Sequence, residues 1–122
     1  MTLYSCIPLE HSTNWNYNTS LSASNVIDSN WHFFAVTVDR SQGRNNQNLV
    51  YVDGVLSAGG QPVNQDTDNN GNYASLPIYI GSRAGTDYFF NGNIAQVLIY
   101  KRVLTPVEIQ QNFDVLKARY GL

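Results

Sequence analysis

The sequence predicts an all-β fold, an antiparallel jelly-roll β-sandwich that ends in one short α-helix at about residues 105–120. Three observations carry that expectation. Short runs rich in Val, Ile, Phe and Tyr recur along the chain, each bounded by Gly, Asn, Asp or Pro, as in strands separated by turns. Two of these runs, Leu49–Val52 and Val55–Ser57, are separated only by Asp53-Gly54, a dipeptide that accepts the positive φ angles of a two-residue hairpin turn. A single helical period stands at the end of the chain, directly after a helix start signal.

Taken in order, Thr2 to Ile7 reads as a short strand closed by Pro8. Glu10 to Asn30 is rich in Ser and Asn, with Trp15, Tyr17 and Leu21 as isolated anchors and one short strand around Val26-Ile27; residues 1–29 therefore read as an irregular N-terminal segment. Trp31 to Asp39 carries two alternating sets, Trp31, Phe33, Ala35, Thr37 and His32, Phe34, Val36, Val38. Both are apolar, which predicts a central strand covered on both faces. Arg40 to Asn48 is a polar loop, the Asp53-Gly54 hairpin follows, and Gln61 to Tyr73 is a long acidic and amide loop. Leu76 to Ile80 reads as a strand stopped by Gly81, and Asn93 to Tyr100, after the Asn91-Gly92 loop, as a buried strand. Thr105 then offers an N-cap oxygen, Pro106 has the φ of a first helical residue, and Glu108 completes a capping box. Ile109, Phe113, Leu116 and Tyr120 fall on one helical face, and Gly121 supplies the stop.

At 122 residues the chain is one domain, 1–122, with no internal repeat and no linker. Seven Lys and Arg stand against nine acids, a net charge of −2 with no basic cluster, which excludes a nucleic-acid surface because phosphate neutralisation needs clustered cations. Only 13% of residues are charged, while Asn is abundant. The surface is thus one of amides and hydroxyls, fitted either to loop conformations or to neutral hydrogen-bonding contacts. One cysteine, Cys6, rules out an intramolecular disulfide. The first ten residues hold neither a basic signal-peptide region nor a membrane span, so Asn18-Thr19-Ser20 reads as a chance glycosylation triplet.

Catalytic groups are few. His11 sits in a Ser/Asn loop and His32 beside Trp31 in a strand, where a satisfied structural histidine is the simpler reading than a general base. Cys6 has no adjacent cation or helix start to lower its pKa. Asp39 and Asp53 lie at strand ends, where turn formation accounts for them, so the chain is read as a non-enzyme. Asp66-Thr67-Asp68-Asn69-Asn70-Gly71 begins like a calcium loop, but the place of the closing bidentate Glu is taken by Pro77. No metal or cofactor is assigned, with calcium left as an open alternative. Trp15, Tyr17, Tyr73 and Tyr88 are loop aromatics that either stack on sugar rings or anchor their own loops.

The succession Trp31–Asp39, Leu49-Val50-Tyr51-Val52-Asp53-Gly54, Ile78-Tyr79-Ile80-Gly81-Ser82, Phe90–Tyr100 and Arg102-Val103-Leu104-Thr105 with Glu108-Ile109 resembles the C-terminal half of a laminin-G-like, concanavalin A-like jelly-roll domain, over roughly residues 30–120. The chain departs from that pattern at Ala95 and Gln96, where the family often has acids, and at Leu98, where it often has a base. In ligand-binding members the ligands come from loops at one rim, and the positions that match loosely are Asp66, Asp68, Asn70, Tyr73, Asp87 and Tyr88. Only about thirty residues precede Trp31, so the resemblance implies a jelly roll shortened at its N-terminal side, with an open edge that a neighbour closes. Two functions follow as expectations. The first is a structural protein, a decoration protein of a bacteriophage capsid or tail, made in a host cytoplasm and displayed on the virion surface. It would be a homo-oligomer, a trimer on a capsid shell, with Trp15, Tyr17, Trp31 and Phe33 at its interface. The second is an extracellular carbohydrate-binding or adhesion module whose partners are glycans.

Overall fold

The computed structural model of the protein describes residues 3–8, 18–23, 30–39, 41–42, 46–60, 79–82, 85–87 and 89–122. Its elements are β1 (Leu3–Pro8), β2 (Asn18–Ala23), β3 (Phe34–Val38), β4 (Asn48–Val52), β5 (Val55–Gly60) and α1 (Pro106–Tyr120). β1 pairs antiparallel with β2, Leu3 opposite Ala23 and Pro8 opposite Asn18. β3, β4 and β5 form a second antiparallel sheet in that order. Cα atoms of β2 come within 8 Å of β5 and β4, so the two sheets are neighbours.

The β4–β5 hairpin turns as its sequence dictates. Asp53 has φ 49° and Gly54 φ 82°, two successive positive values that give the turn a twist matching the strands it joins. Pairing runs Val52 opposite Val55 and Tyr51 opposite Leu56, then shifts so that Val50 faces Ala58, leaving Ser57 as the extra residue of a bulge. Across β3 and β4, Phe34 faces Val52 and Val36 faces Val50. Val50 is fully buried, with Phe34, Val36 and Val52 packed against it, and removing its side chain from water stabilises the fold by about 2 kcal/mol. Tyr51 and Thr37, of the opposite alternation, are buried too. Both faces of the sheet are therefore covered in part, as the alternating sets of Trp31 to Asp39 require.

Helix α1 begins and ends on the devices legible in its sequence. Thr105, extended at φ −71° and ψ 158°, accepts from the Glu108 N–H through its side chain, while the Glu108 carboxylate accepts from the Thr105 N–H at 2.8 Å. Gly121 adopts φ 70°, and the N–H groups of Gly121 and Leu122 both donate to the Lys117 carbonyl, at 2.9 and 3.1 Å. Ile109 is fully buried, and Phe113, Leu116 and Tyr120 are half-buried on the same face. Arg102 adds a contact that the capping pattern does not announce. Its two terminal nitrogens donate to the two Glu108 oxygens at 2.9 and 2.7 Å, a fork that ties the preceding segment to the first helical turn.

Four expectations need correction. Within residues 1–29 the strand read at Thr2 to Ile7 is present as β1, but the Ser/Asn-rich stretch read as loop also holds β2, paired with β1 over six residues; the ladder supplies what the Ser-rich sequence of β2 does not. The strand around Val26-Ile27 lies outside the described residues. β3 starts at Phe34 and, among the described residues, stands at one end of the order β3-β4-β5 instead of at its centre. Tyr79 and Ile80 are exposed and form no strand, while Leu76 to Ile78 lie outside the described residues. Asn93 to Tyr100 forms no strand either, and every one of its residues is exposed. Its apolar run has the composition of a buried strand, but among the described residues none offers it a ladder.

Two predictions follow from these turns and caps. Replacing Gly54 by Ala puts a Cβ at positive φ and within 2.5 Å of the Gln110 side chain; urea unfolding should show a loss of about 1–2 kcal/mol, with Gly54→Asn less affected because Asn tolerates this backbone. Arg102 first, then the Thr105 N–H, hold the Glu108 carboxyl at about 2, well below its ordinary 4.5. A lowered carboxylate stabilises fully above the unfolded value, so its contribution is complete above pH 4.5 and disappears as the pH falls through about 2. Acid titration followed by helical circular dichroism should show that loss, and Glu108→Gln should be less stable at neutral pH yet match the parent near pH 2.

Candidate interaction surface

The surface around α1 is assembled from the hairpin outward. The Asp53 carboxylate accepts from the His32 ring Nδ1 at 2.8 Å and from the Phe33 N–H at 2.9 Å, while the Asp53 N–H donates to the Phe33 carbonyl at 2.9 Å. A turn residue thus fixes the chain just before β3. His32 is thereby held by a carboxylate. With residues 32 and 33 held, Trp31 and Phe33, of the same alternation, meet the helix. The Trp31 and Tyr120 rings lie 6.5 Å apart and tilted by 39°, and the Phe33 and Phe113 rings 6.0 Å apart and tilted by 49°. The Lys117 ammonium sits 5.3 Å from the Phe113 ring centre.

These contacts give the expected interface residues a role within the chain. Trp31 and Phe33 seat α1 of their own chain, although Trp31 stays 44% exposed. Trp15 and Tyr17 lie outside the described residues. α1 also holds segment 93–100: the Tyr120 hydroxyl donates to Gln96 Oε1 at 3.1 Å and Asn112 Nδ2 donates to the Tyr100 hydroxyl at 3.3 Å. Gln96 is thus held near the C-terminal end of α1 and Tyr100 near its middle, so the two run antiparallel. Ile94, Val97, Leu98, Ile99 and Tyr100 remain 46–69% exposed.

Of the rim positions, Asp87 is described and exposed, and the Thr86 hydroxyl donates to its carboxylate at 3.3 Å. Asp66, Asp68, Asn70, Tyr73 and Tyr88 lie outside the described residues, as does the calcium-like loop. Among the described residues no three His, Cys, Asp or Glu side chains converge as metal ligands. No described helix is long and apolar enough to cross a membrane. Asp39 is engaged in its turn, accepting from the Ser41 hydroxyl at 2.6 Å, the Ser41 N–H at 3.0 Å and the Gln42 amide at 3.0 Å. The Ser41 hydroxyl and then Gln42 lower its pKa.

A family model of the laminin G type, described as the concanavalin A-like lectin/glucanases superfamily, matches residues 7–110, which takes in β2 to β5 and the start of α1. The chain belongs to the concanavalin A-like lectin/glucanases superfamily. No curated protein and no solved structure matches it. The superfamily's fold is a β-sandwich, of which the described residues show two antiparallel sheets, and the match reaches further toward the N-terminus than the motifs from Trp31 onward. The residues that sequence reasoning overlooked are Asp53 as a clamp on His32 and Phe33, and Arg102 as the partner of Glu108. Neither has a local signal, since Asp53 lies 21 residues from His32 and Arg102 precedes the helix it binds.

If the two ring pairs carry the seating of α1, Phe113→Ala should destabilise the protein by about 2 kcal/mol. Thermal unfolding measures this. Tyr120→Phe, which keeps the ring on Trp31 and removes only the hydroxyl from Gln96, should cost less than about 1 kcal/mol.

Proposed function

We propose that the chain is a non-catalytic binding module of the lectin-like superfamily, holding neutral carbohydrate through amide and aromatic groups of its rim loops. The observation that carries this reading is the superfamily match over residues 7–110. The composition supports it: with 13% charged residues, abundant Asn and eight Tyr, the chain offers hydrogen-bonding amides and stacking rings in place of ions. Tyr73 and Tyr88 are the proposed stacking residues, with Asp66, Asp68, Asn70 and Asp87 as acceptors for hydroxyls or, in the presence of calcium, for the ion.

One observation favours a second reading, a structural component of an assembly such as a phage capsid or tail: the exposed, uncharged segment 93–100 has the character of a surface that a neighbour covers. A glycan array run with and without calcium separates the two. The binding reading requires saturable, sugar-specific binding that falls at least tenfold in Tyr73→Ala or Tyr88→Ala, and bound glycans that stay uncleaved on prolonged incubation. An array blank under both conditions would remove it.

A further inference from the structure

We infer that Asn91 is a site of spontaneous backbone modification, where the Gly92 amide nitrogen closes on the Asn91 side chain and the residue becomes aspartate or isoaspartate. This goes beyond the carbohydrate reading and does not depend on it, because the reaction needs only water and the chain's own atoms.

The chain has two Asn-Gly steps, Asn70-Gly71, which lies outside the described residues, and Asn91-Gly92. Asn91 and Gly92 are both exposed and belong to no helix or strand, so the side chain has room to turn onto the next nitrogen and water reaches the product. Packing accounts for the glycine. Gly92 is not at positive φ, but a Cβ there would stand 2.6 Å from Phe90 Cζ and 2.7 Å from Phe90 Cε1. Phe90 is itself held, its N–H donating to the Gly81 carbonyl at 2.7 Å. The ring seated on residue 92 thus favours glycine, and glycine leaves the backbone nitrogen without the side chain that hinders attack elsewhere. Asp53-Gly54 supplies the contrast. Its carboxylate accepts from His32 Nδ1 and the Phe33 N–H, and both turn residues are fixed at positive φ, so the Asp53 side chain is not free to rotate onto the Gly54 nitrogen.

The Gly92 nitrogen gives its proton to hydroxide and bonds to Asn91 Cγ. The bond from Cγ to Nδ2 breaks, and the side-chain nitrogen takes up a proton and leaves as ammonia, which closes a succinimide ring. Water then adds to one of the two ring carbonyls. Addition at Cγ reopens the ring to aspartate; addition at the Asn91 backbone carbonyl gives isoaspartate, with the chain running on through Cγ. Nothing is oxidised or reduced, and water is the one co-reactant. Either product puts a carboxylate where a neutral amide stood, just ahead of the uncharged run Asn93–Tyr100 that α1 holds through Gln96 and Tyr100. Isoaspartate also lengthens the backbone between Phe90 and that run.

Prolonged incubation of the full chain at neutral pH, followed by mass mapping of tryptic peptides against synthetic aspartyl and isoaspartyl standards, tests this. The peptide from Ala84 to Lys101 should gain the mass of an NH-to-O exchange at residue 91, at a rate within about threefold of that in the urea-unfolded chain. The rate should rise with pH, because the attacking nitrogen must lose its proton. Asn93 lies in the same peptide and is also exposed, but precedes β-branched Ile94, and should convert at least tenfold more slowly. Asn91→Gln should abolish the gain at residue 91 without changing helical circular dichroism. A residue 91 that stays asparagine in the folded chain while it converts in the unfolded one, or isoaspartate that accumulates at Asp53 as fast as at residue 91, would overturn the inference.

Discussion

The structure depends on the seating of α1 against the approach to β3. A helix of 15 residues is marginal on its own, because the entropy of its nucleus is repaid only slowly by propagation. The capping box, the Arg102 fork and the Gly121 stop define where α1 begins and ends, but they do not hold it anywhere. Ile109, and the ring pairs Phe33 with Phe113 and Trp31 with Tyr120, do that. Those rings are in reach because Asp53, at the tip of the hairpin, fixes His32 and the Phe33 backbone. The hairpin positions the strand approach, the approach positions the helix, and the helix positions segment 93–100 through Tyr120 and Asn112.

Charge is spent locally in this protein. Glu108 is taken by Arg102 and Thr105, Asp114 by Lys117 and Gln110, Asp39 by Ser41 and Gln42, and Asp53 by His32 and Phe33. Each of these acids serves as a hydrogen-bond acceptor at a turn, a cap or a helix surface. Two of them, Glu108 with Arg102 and Asp114 with Lys117, form ion pairs whose fields largely cancel at a distance, whereas Asp39 is held by neutral groups and keeps its charge.

What the sequence made legible were the features whose cause is local. The Asp53-Gly54 turn needs two positive φ angles and has the residue pair that accepts them; the helix has its cap, its period and its stop within 17 residues, Thr105 to Gly121. β2 was not legible, because Asn18–Ala23 has one large apolar residue, Leu21, and owes its strand to pairing with β1. Asn93–Tyr100 failed in the opposite way. Ile, Val, Leu and Tyr in succession have the chemistry of a strand interior, yet a strand also needs partners, and composition says nothing of whether they arrive. That Trp31 and Phe33 meet α1 was not legible for a related reason: an aromatic pair beside a strand satisfies a helix of the same chain as readily as a neighbour. Of the rim site only Asp87 can be placed, as an exposed acceptor for Thr86.

Eight consecutive residues with no proline and no charge, ending in Val97-Leu98-Ile99-Tyr100, also define a hazard during synthesis, when nothing yet shields them. Such a ribbon can stack with its like into fibrils before the native form is reached. Lys101 and Arg102 stand at its very end, where positive charge repels the next chain in a growing stack, the role of gatekeepers beside an unavoidable sticky tract. Arg102, already engaged by Glu108, then serves twice: it guards the nascent polypeptide and afterwards locks the finished one.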